Sequence, residues 1–135
     1  MMHRKVRGAM LAVAGVGMFF AGWAFGQGSF QTQKSTVHCV AWTAKDGMTP
    51  ADLDRFKADL GKLPGMFPGL QRIWVGKLSR PITSGDATRD YGLAIEFTDM
   101  AAKQAYSDSA RRDEWMQLFG TVRNPGSTSF DVVGE

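Results

Sequence analysis

The sequence predicts a single α+β domain with the element order strand–helix–strand–strand–helix–strand. Three observations predict this class. Some apolar runs repeat with a period of two residues, others repeat every three to four residues, and proline or glycine residues separate them. A chain of 135 residues has room for one such domain and not comfortably for two.

The first strand and the first helix are marked by composition and by a helix start. Residues 37–44 are rich in Val and Trp and predict a strand. Thr49 is a suitable N-cap, and Pro50 fits the first helical position. Four apolar residues then recur at helical spacing: Leu53, Phe56, Leu60 and Leu63. We expect the pair Pro64-Gly65 to end this helix.

Two strands separated by a polar loop are predicted next. Residues 69–77 predict the second strand, residues 78–90 a polar loop, and residues 91–97 the third strand. The third strand alternates cleanly, which predicts one apolar face made of these residues: Tyr91, Leu93, Ile95 and Phe97.

The last part of the chain predicts a second helix and a fourth strand. The helix follows Asp99 as its cap and is expected to be interrupted near Ser107–Ser109. The segment NPGS, residues 124–127, predicts a turn. Residues 128–133 then predict the closing strand.

This order of elements is that of the ferredoxin-like fold, βαββαβ. Two right-handed crossovers give a four-stranded antiparallel sheet with both helices on one face. The strands are nevertheless apolar on both sides, as two alternating sets in the first strand show: Val37, Cys39 and Ala41 on one face, Val40 and Trp42 on the other. Four or five such side chains left in water would each forgo about 1.5–3 kcal/mol, against a net domain stability of about 5–15 kcal/mol. We therefore predict a homodimer in which the two sheets pack face to face.

The N-terminal segment predicts an export signal. Three basic residues form a cationic start, namely Arg4, Lys5 and Arg7, and residues 8–25 form an uncharged, mostly apolar run with small residues at its end. The predicted organisation has three parts: a signal peptide over 1–26, a polar linker over 27–36 and the folded domain over 37–135. The expected location is therefore periplasmic or secreted. An uncleaved membrane anchor is the alternative, because the apolar run reaches the ~18 residues at which a spanning helix becomes possible.

Charge and motif content exclude several function classes. Three of the 16 Lys and Arg residues lie in the leader, so 13 remain against 13 acidic residues, and no nucleic-acid footprint is expected. The sequence has no phosphate-binding loop and no zinc-ligand spacing, so we predict no metal and no cofactor. The single cysteine, Cys39, forms no disulfide within the chain; we interpret it as a small buried hydrophobe and not as a nucleophile.

Four segments between Val37 and Val133 carry a family resemblance. In order, they read VHCVAWTAKDG, LGKLPGMFPGLQRIWVGK, YGLAIEFTDMAAKQAY and FDVV. Together they resemble the stress-responsive α/β-barrel (Dabb) domain family, within the dimeric α/β-barrel superfamily. The resemblance implies the same ferredoxin-like fold and the same dimer. Many members of this family have no assigned activity, and the superfamily also contains cofactor-free monooxygenases.

The resemblance also implies candidate site residues. A polyketide-cyclising member of the family uses a first-strand histidine, a tyrosine, and a second histidine from a His-Pro-x-His motif. His38 matches the first histidine and Tyr106 matches the tyrosine, whereas Ser109 and Arg112 stand where the two histidines of the motif would be. Because arginine stays protonated, it is no general base, which weakens the case for cyclase chemistry by that route. Arg112 is instead suited to pairing with an anionic or enolate-like ligand.

The strand pattern places His38 on the same face as Val40 and Trp42, and we expect all three to point into the dimer interior. There His38 is either a structural group, hydrogen-bonded across the interface or to Tyr106, or a group that orients a ligand or takes a proton. The candidate pocket residues are Val40, Trp42, Trp74, Tyr91, Leu93 and Arg112. Simple core packing is the alternative interpretation of the aromatic ones.

Three hypotheses about function stay open. The first, which we favour, is an exported homodimer that binds a small apolar or aromatic molecule between its paired sheets, or protects against stress, without catalysis. The second is a cofactor-free enzyme, a cyclase-like lyase or a monooxygenase, with His38 and Tyr106 as catalytic residues. The third is an assembly protein whose paired sheets are filled by side chains. Contact with a membrane is expected only through an uncleaved N-terminal segment.

Overall fold

The structure, a computed structural model, describes residues 33–135. The predicted signal peptide and residues 27–32 of the predicted linker lie outside the described residues. In the part that is described, no helix is both long and apolar enough to cross a bilayer. The elements follow in this order: β1 (Thr36–Ala44), α1 (Pro50–Leu60), α2 (Leu63–Met66), β2 (Leu70–Ser84), β3 (Ala87–Phe97), α3 (Met100–Asp108), α4 (Arg111–Phe119) and β4 (Arg123–Val133).

The four strands form one antiparallel sheet in the order β2-β3-β1-β4. This order is that of the ferredoxin-like fold and confirms the predicted fold class. The core lies between the sheet and the helices. Trp42 of β1 is fully buried there, edge-on to Phe56 of α1 and Phe119 of α4, with ring centroids 6.1 and 5.4 Å away.

The face of β1 that carries His38 is the face that the helices cover. His38, Val40 and Trp42 lie opposite Ile95, Leu93 and Tyr91 of β3 in the strand register, and Val40 and Trp42 belong to the core cluster. The prediction that they point into the dimer interior is therefore wrong. Alternation shows which residues share a face, but when both faces are apolar it does not show which one the helices cover.

The uncovered face of the sheet is apolar, as predicted. It carries the other set of β1 side chains together with large side chains of the two edge strands. Trp74 of β2 is 50% exposed, and Phe130 and Val132 of β4 are 55% and 54% exposed. The described chain thus leaves one side of its sheet without a cover.

The predicted polar loop over residues 78–90 is wrong, because most of it belongs to a long hairpin. Strand β2 continues to Ser84, and β3 begins at Ala87 after a turn in which Gly85 has φ +61°. Pro81 has no N–H to give to a ladder, but β2 is an edge strand, where proline is tolerated. The register shifts between Lys77 and Ile82, so the hairpin accommodates this proline.

Two further predicted boundaries differ from the structure. The first helix ends at Leu60, and Pro64 lies in the first turn of α2, where its missing N–H costs nothing. The predicted NPGS turn is part of the edge strand β4, in which Gly126 has φ +91°. The predicted interruption near Ser107–Ser109 is confirmed as the break between α3 and α4.

Candidate functional site

The residues predicted to line one pocket lie on the two opposite faces of the sheet. Val40, Trp42 and Leu93 are buried in the core on the helix side, and Tyr91 stacks on Trp42 with ring centroids 4.8 Å apart. Trp74 lies on the uncovered face. The six predicted residues therefore do not all line one cavity. Val40, Trp74 and Leu93 line a groove on the uncovered face, and Val40 and Arg112 line a cavity on the helix side, so two separate candidate sites follow.

The first candidate site is a small cavity of about 90 Å³, which we call the helix-side pocket. It lies where β1 and β4 meet α3 and α4. Its polar lining residues are His38, Tyr106, Arg112, Arg123, Ser127 and Ser129. The structure thus brings His38, Tyr106 and Arg112 to one pocket, although the pocket lies inside one protomer and not between two sheets.

His38 is held by an acidic partner on the neighbouring strand. His38 lies opposite Asp131 in the β1–β4 register, and its Nδ1 is 2.6 Å from Asp131 Oδ1. The other carboxylate oxygen, Oδ2, accepts from Lys103 Nζ of α3 at 3.0 Å. The side chains of all three residues are mostly buried. The predicted partner of His38, Tyr106, is not the partner that the structure shows.

This arrangement fixes which nitrogen of His38 is free. Partial burial raises the pKa of Asp131, but hydrogen bonds from His38 and Lys103 outweigh burial and hold that pKa below its usual range. An ionised carboxylate only accepts hydrogen bonds, so His38 Nδ1 carries a hydrogen and donates it. In the neutral ring the lone pair is then on Nε2, and the carboxylate at Nδ1 fixes the tautomer and the orientation of the ring. The pair has the chemistry of a general base.

Tyr106 is a buried residue whose hydroxyl is already engaged. Its oxygen accepts from Trp115 Nε1 at 2.7 Å, and its ring packs against Phe67 and Phe97. Burial raises the pKa of Tyr106, while the Trp115 hydrogen bond and the nearby Arg112 oppose that rise. The phenol is therefore neutral at physiological pH, and its own hydrogen is available to a ligand in the pocket.

Arg112 lies over the ring of Tyr106, with its guanidinium carbon 5.8 Å from the ring centroid. It thus occupies the wall of the pocket as a permanent cation. Ser109, at the other position of the motif, lies in the break between α3 and α4, and its Oγ accepts from Arg111 N at 3.3 Å. Ser109 does not line the pocket.

The second candidate site, which we call the sheet-face groove, lies on the uncovered face and has a volume of about 440 Å³. Small residues contribute to its lining: Cys39, Ala41, Gly76, Gly92 and Ala94. Larger apolar side chains also line it: Trp74, Leu78, Ile82 and Phe130. A Cβ on Gly92 would lie 2.7 Å from Leu78 Cδ2, so this glycine gives Leu78 its space.

Cys39 lies in this groove as a partly exposed thiol. Burial raises the pKa of the Cys39 thiol, and the negative charge of Asp131 raises it further. Both effects suppress the thiolate, which is the nucleophilic form. Cys39 therefore lines the groove as a neutral, apolar thiol.

The sequence analysis missed Arg123, which lines the helix-side pocket. It also missed Asp131, which contacts the lining residue His38, and Lys103, which contacts Asp131. One signal was present in β4, where Ser127, Ser129 and Asp131 alternate with Thr128, Phe130 and Val132. The polar set lies on the same sheet face as His38, Val40 and Trp42, so a polar row on the helix side of an edge strand marks the site. Among residues 33–135, no group of three His, Cys, Asp or Glu side chains is placed to hold a metal ion.

Comparison with known proteins assigns the fold to a family. The sequence model of the stress responsive A/B barrel domain matches residues 36–133. No curated protein sequence matches the chain significantly.

Several solved structures share the fold at low sequence identity. A dimeric protein of unknown function with a ferredoxin-like fold from Bacteroides fragilis has 16% identity and a TM-score of 0.55, over 76% of this chain and 99% of that chain. The hydroxynitrile lyase of Passiflora edulis has 17% identity and a TM-score of 0.58, over 74% and 93%. The cofactor-independent oxygenase SnoaB of Streptomyces nogalater has 13% identity and a TM-score of 0.52, over 76% and 94%.

Proposed function

The chain belongs to the stress-responsive A/B barrel domain family, and from this premise we propose that it works as a homodimer whose two sheets pack face to face. The observation that carries this proposal is the uncovered apolar face of the sheet. Trp74, Phe130 and Val132 are each about half exposed there. Full burial of a large apolar side chain contributes about 1.5–3 kcal/mol, so covering the exposed half of each adds about 1 kcal/mol per side chain and per protomer.

The surroundings of this face support an interface. Arg72 Nε donates to Glu96 Oε2 at 2.6 Å, and Ser35 Oγ donates to Glu96 Oε1 at 2.7 Å. These polar groups lie on the same face as Trp74 and give it a polar border. An apolar centre with a polar rim is the usual composition of a protein–protein interface. The similar structure from Bacteroides fragilis is itself a dimeric protein.

We propose further that the sheet-face groove holds a small apolar or aromatic molecule between the two sheets. A volume of about 440 Å³ falls in the range of small-molecule sites, about 300–1,000 Å³, and its apolar lining suits a flat apolar ligand. Extraction of the protein purified from its own host, followed by mass spectrometry, tests this. A retained apolar compound supports ligand binding, whereas an interior filled by the partner's side chains leaves only a role in assembly.

The pairing of the sheets is tested by one charge on the proposed interface. Phe130→Asp places a carboxylate on the proposed interface, and an unpaired buried charge costs about 3 kcal/mol or more, so we expect the dimer dissociation constant to rise at least about a hundredfold. Because Phe130 is exposed on an edge strand in the single protomer, the substitution leaves the protomer fold intact. Light scattering coupled to size-exclusion chromatography measures the mass of the protein in solution.

Met100→Asp is the matched control, because Met100 is also an exposed apolar residue, 40% exposed, but begins α3 outside the sheet. We expect this variant to keep the wild-type mass. Equal masses for the two variants, either both halved or both unchanged, would contradict the proposed interface.

The His38–Asp131 pair supports a second candidate function, a cofactor-free enzyme. The 2.6 Å contact and the free Nε2 suit proton abstraction from a small substrate in the helix-side pocket, with Tyr106 as a hydrogen-bond donor. The fold is shared with a hydroxynitrile lyase and with a cofactor-independent oxygenase. For any substrate that the protein turns over, His38→Ala is expected to abolish turnover while the dimer persists. Unchanged turnover would remove His38 from the mechanism.

We propose export as the location of the protein, supported by the cationic start and the apolar run over residues 8–25. The mass of the protein from its host separates the two forms of this proposal. Cleavage near residue 26 gives a chain without the leader, whereas an uncleaved anchor gives the full chain in the membrane fraction.

A further inference from the structure

Three arginine side chains converge beside the helix-side pocket. Arg89 lies on β3, Arg112 on α4 and Arg123 at the start of β4, and Arg112 and Arg123 line the pocket. Burial lowers the pKa of Arg123, and the positive charges of Arg112 and Arg89 lower it further. Two of the three guanidinium side chains thus share one partly buried cavity, and the third reaches the same strand, β4, at Gly126 O.

No acidic partner compensates this charge in the described part of the chain. None of the three arginines takes part in the ion pairs formed among residues 33–135. Arg89 Nη1 donates only to neutral oxygens, Thr43 Oγ1 at 3.2 Å and Gly126 O at 3.5 Å. The Nε atoms of Arg89 and Arg112 are buried and have no hydrogen-bond partner there. Buried donors without an acceptor are rare in proteins, so these two Nε–H groups need a hydrogen-bond acceptor.

The cavity between these groups has a defined size and chemistry. Its volume of about 90 Å³ corresponds to about three water molecules, each of which occupies ~30 Å³ in the liquid. The lining has two guanidinium groups as donors. It also has the hydroxyl groups of Ser127, Ser129 and Tyr106, which can donate hydrogen bonds as well. Val40, Ile95 and Met116 form an apolar part of the wall. A ligand with one anionic end and a short apolar end matches both parts.

We propose that the helix-side pocket binds a small organic monocarboxylate, held at its charged end by Arg112 and Arg123. A carboxylate accepts paired hydrogen bonds from the planar guanidinium fork and neutralises the excess positive charge. The volume suits a ligand of a few heavy atoms, smaller than a nucleotide or a sugar phosphate. Because every lining residue comes from one protomer, this proposal does not depend on the sheet pairing, and it assigns a ligand class to the pocket whether or not His38 performs chemistry.

Acetate is the probe for this site. In the full-length protein labelled with ¹⁵N, sodium acetate replaces sodium chloride at constant ionic strength, and the Nε–H resonances of the arginines are followed by NMR. We expect a saturable shift of the Arg112 Nε–H resonance, with a Kd of about 1 mM as befits a four-atom ligand. Acetamide, which has the same shape without the charge, is expected to cause no shift.

The adjacent residue provides the matched control. Arg112→Gln is expected to weaken acetate binding at least about tenfold, because a charge-assisted bidentate contact is lost. Arg111→Gln removes the same charge from an exposed position of the same helix that does not line the pocket, and is expected to change the affinity less than about twofold. If Arg112→Gln fails to fold, Arg123→Gln takes its place with the same expectation.

Several outcomes would overturn the proposal. They are no saturable shift with acetate, formate or propionate, equal shifts with acetamide or chloride, and equal losses in the Arg111 and Arg112 variants. The mass of the same sample is measured in parallel. A monomer that binds acetate refutes the sheet pairing alone, and a dimer that does not bind acetate refutes the anion site alone.

Discussion

Asp131 is the residue that holds His38, a lining residue of the helix-side pocket, in place. It belongs to β4, accepts from His38 of β1 and pairs with Lys103 of α3, so one carboxylate connects two strands and a helix. These contacts hold its pKa below the usual carboxyl range, even though partial burial acts in the opposite direction. The ionised form therefore stabilises the folded state and also orients His38.

The pH dependence of stability tests this role of Asp131. Because its pKa is lower in the folded state, the stabilisation is fully present above the unfolded-state value, about 3.9, and is lost as the pH falls through the lower folded-state pKa. We expect Asp131→Asn to lower the free energy of unfolding by about 1–2 kcal/mol at pH 7. The difference from the wild type should shrink as the pH falls below about 4.

Denaturant unfolding at a series of pH values measures this difference. Asp113→Asn serves as the control, since Asp113 is exposed and forms no ion pair in the described structure. A difference between wild type and Asp131→Asn that stayed constant from pH 7 to acid would show that the charge of Asp131 does not contribute.

At the scale of elements, helix starts were predictable because their signals are local. Thr49 caps α1 and Pro50 begins it, as expected, and Asp52 completes a capping box by accepting from the Thr49 backbone N–H. The extents of β2 and β4 were not predictable from the same signals. Pro81 and Pro125 both indicate turns in the sequence, but both lie in edge strands, where the sheet needs no N–H from them.

The cap of α1 gives a prediction at this scale. Thr49→Ala removes the side-chain acceptor for Asp52 N, and we expect the free energy of unfolding to fall by about 1 kcal/mol. Thr49→Ser keeps the hydroxyl and should be close to the wild type. Urea denaturation of the three proteins measures both differences, and a Thr49→Ser variant as unstable as Thr49→Ala would show that the cap hydrogen bond is not the cause.

At the scale of the whole molecule, the two-sided sheet links fold to function. Element order predicted the fold, and the apolar character of both strand faces predicted an uncovered face. The face that carries His38 was assigned wrongly, because Val40 and Trp42 are as apolar as Val37 and Ala41 and nothing local tells the two sets apart. That choice depends on which face the helices cover, a contact between distant parts of the chain.

The pocket residues, too, were only partly predictable from local sequence signals. His38, Tyr106 and Arg112 were identified from the sequence and do meet at one cavity. Asp131 was missed because its partner His38 is 93 residues away, and only the strand register brings them together. The site was thus predictable from residues matched to a family motif, whereas its charge balance required the three-dimensional arrangement.

The mass of the wild-type protein in dilute solution tests the central claim most directly. Sedimentation equilibrium at about 1 µM measures it without a label, at a concentration where weak pairing dissociates. We expect twice the mass of one chain, because pairing removes the uncovered apolar face of each sheet from water. A folded protein with the mass of a single chain at that concentration would contradict the account.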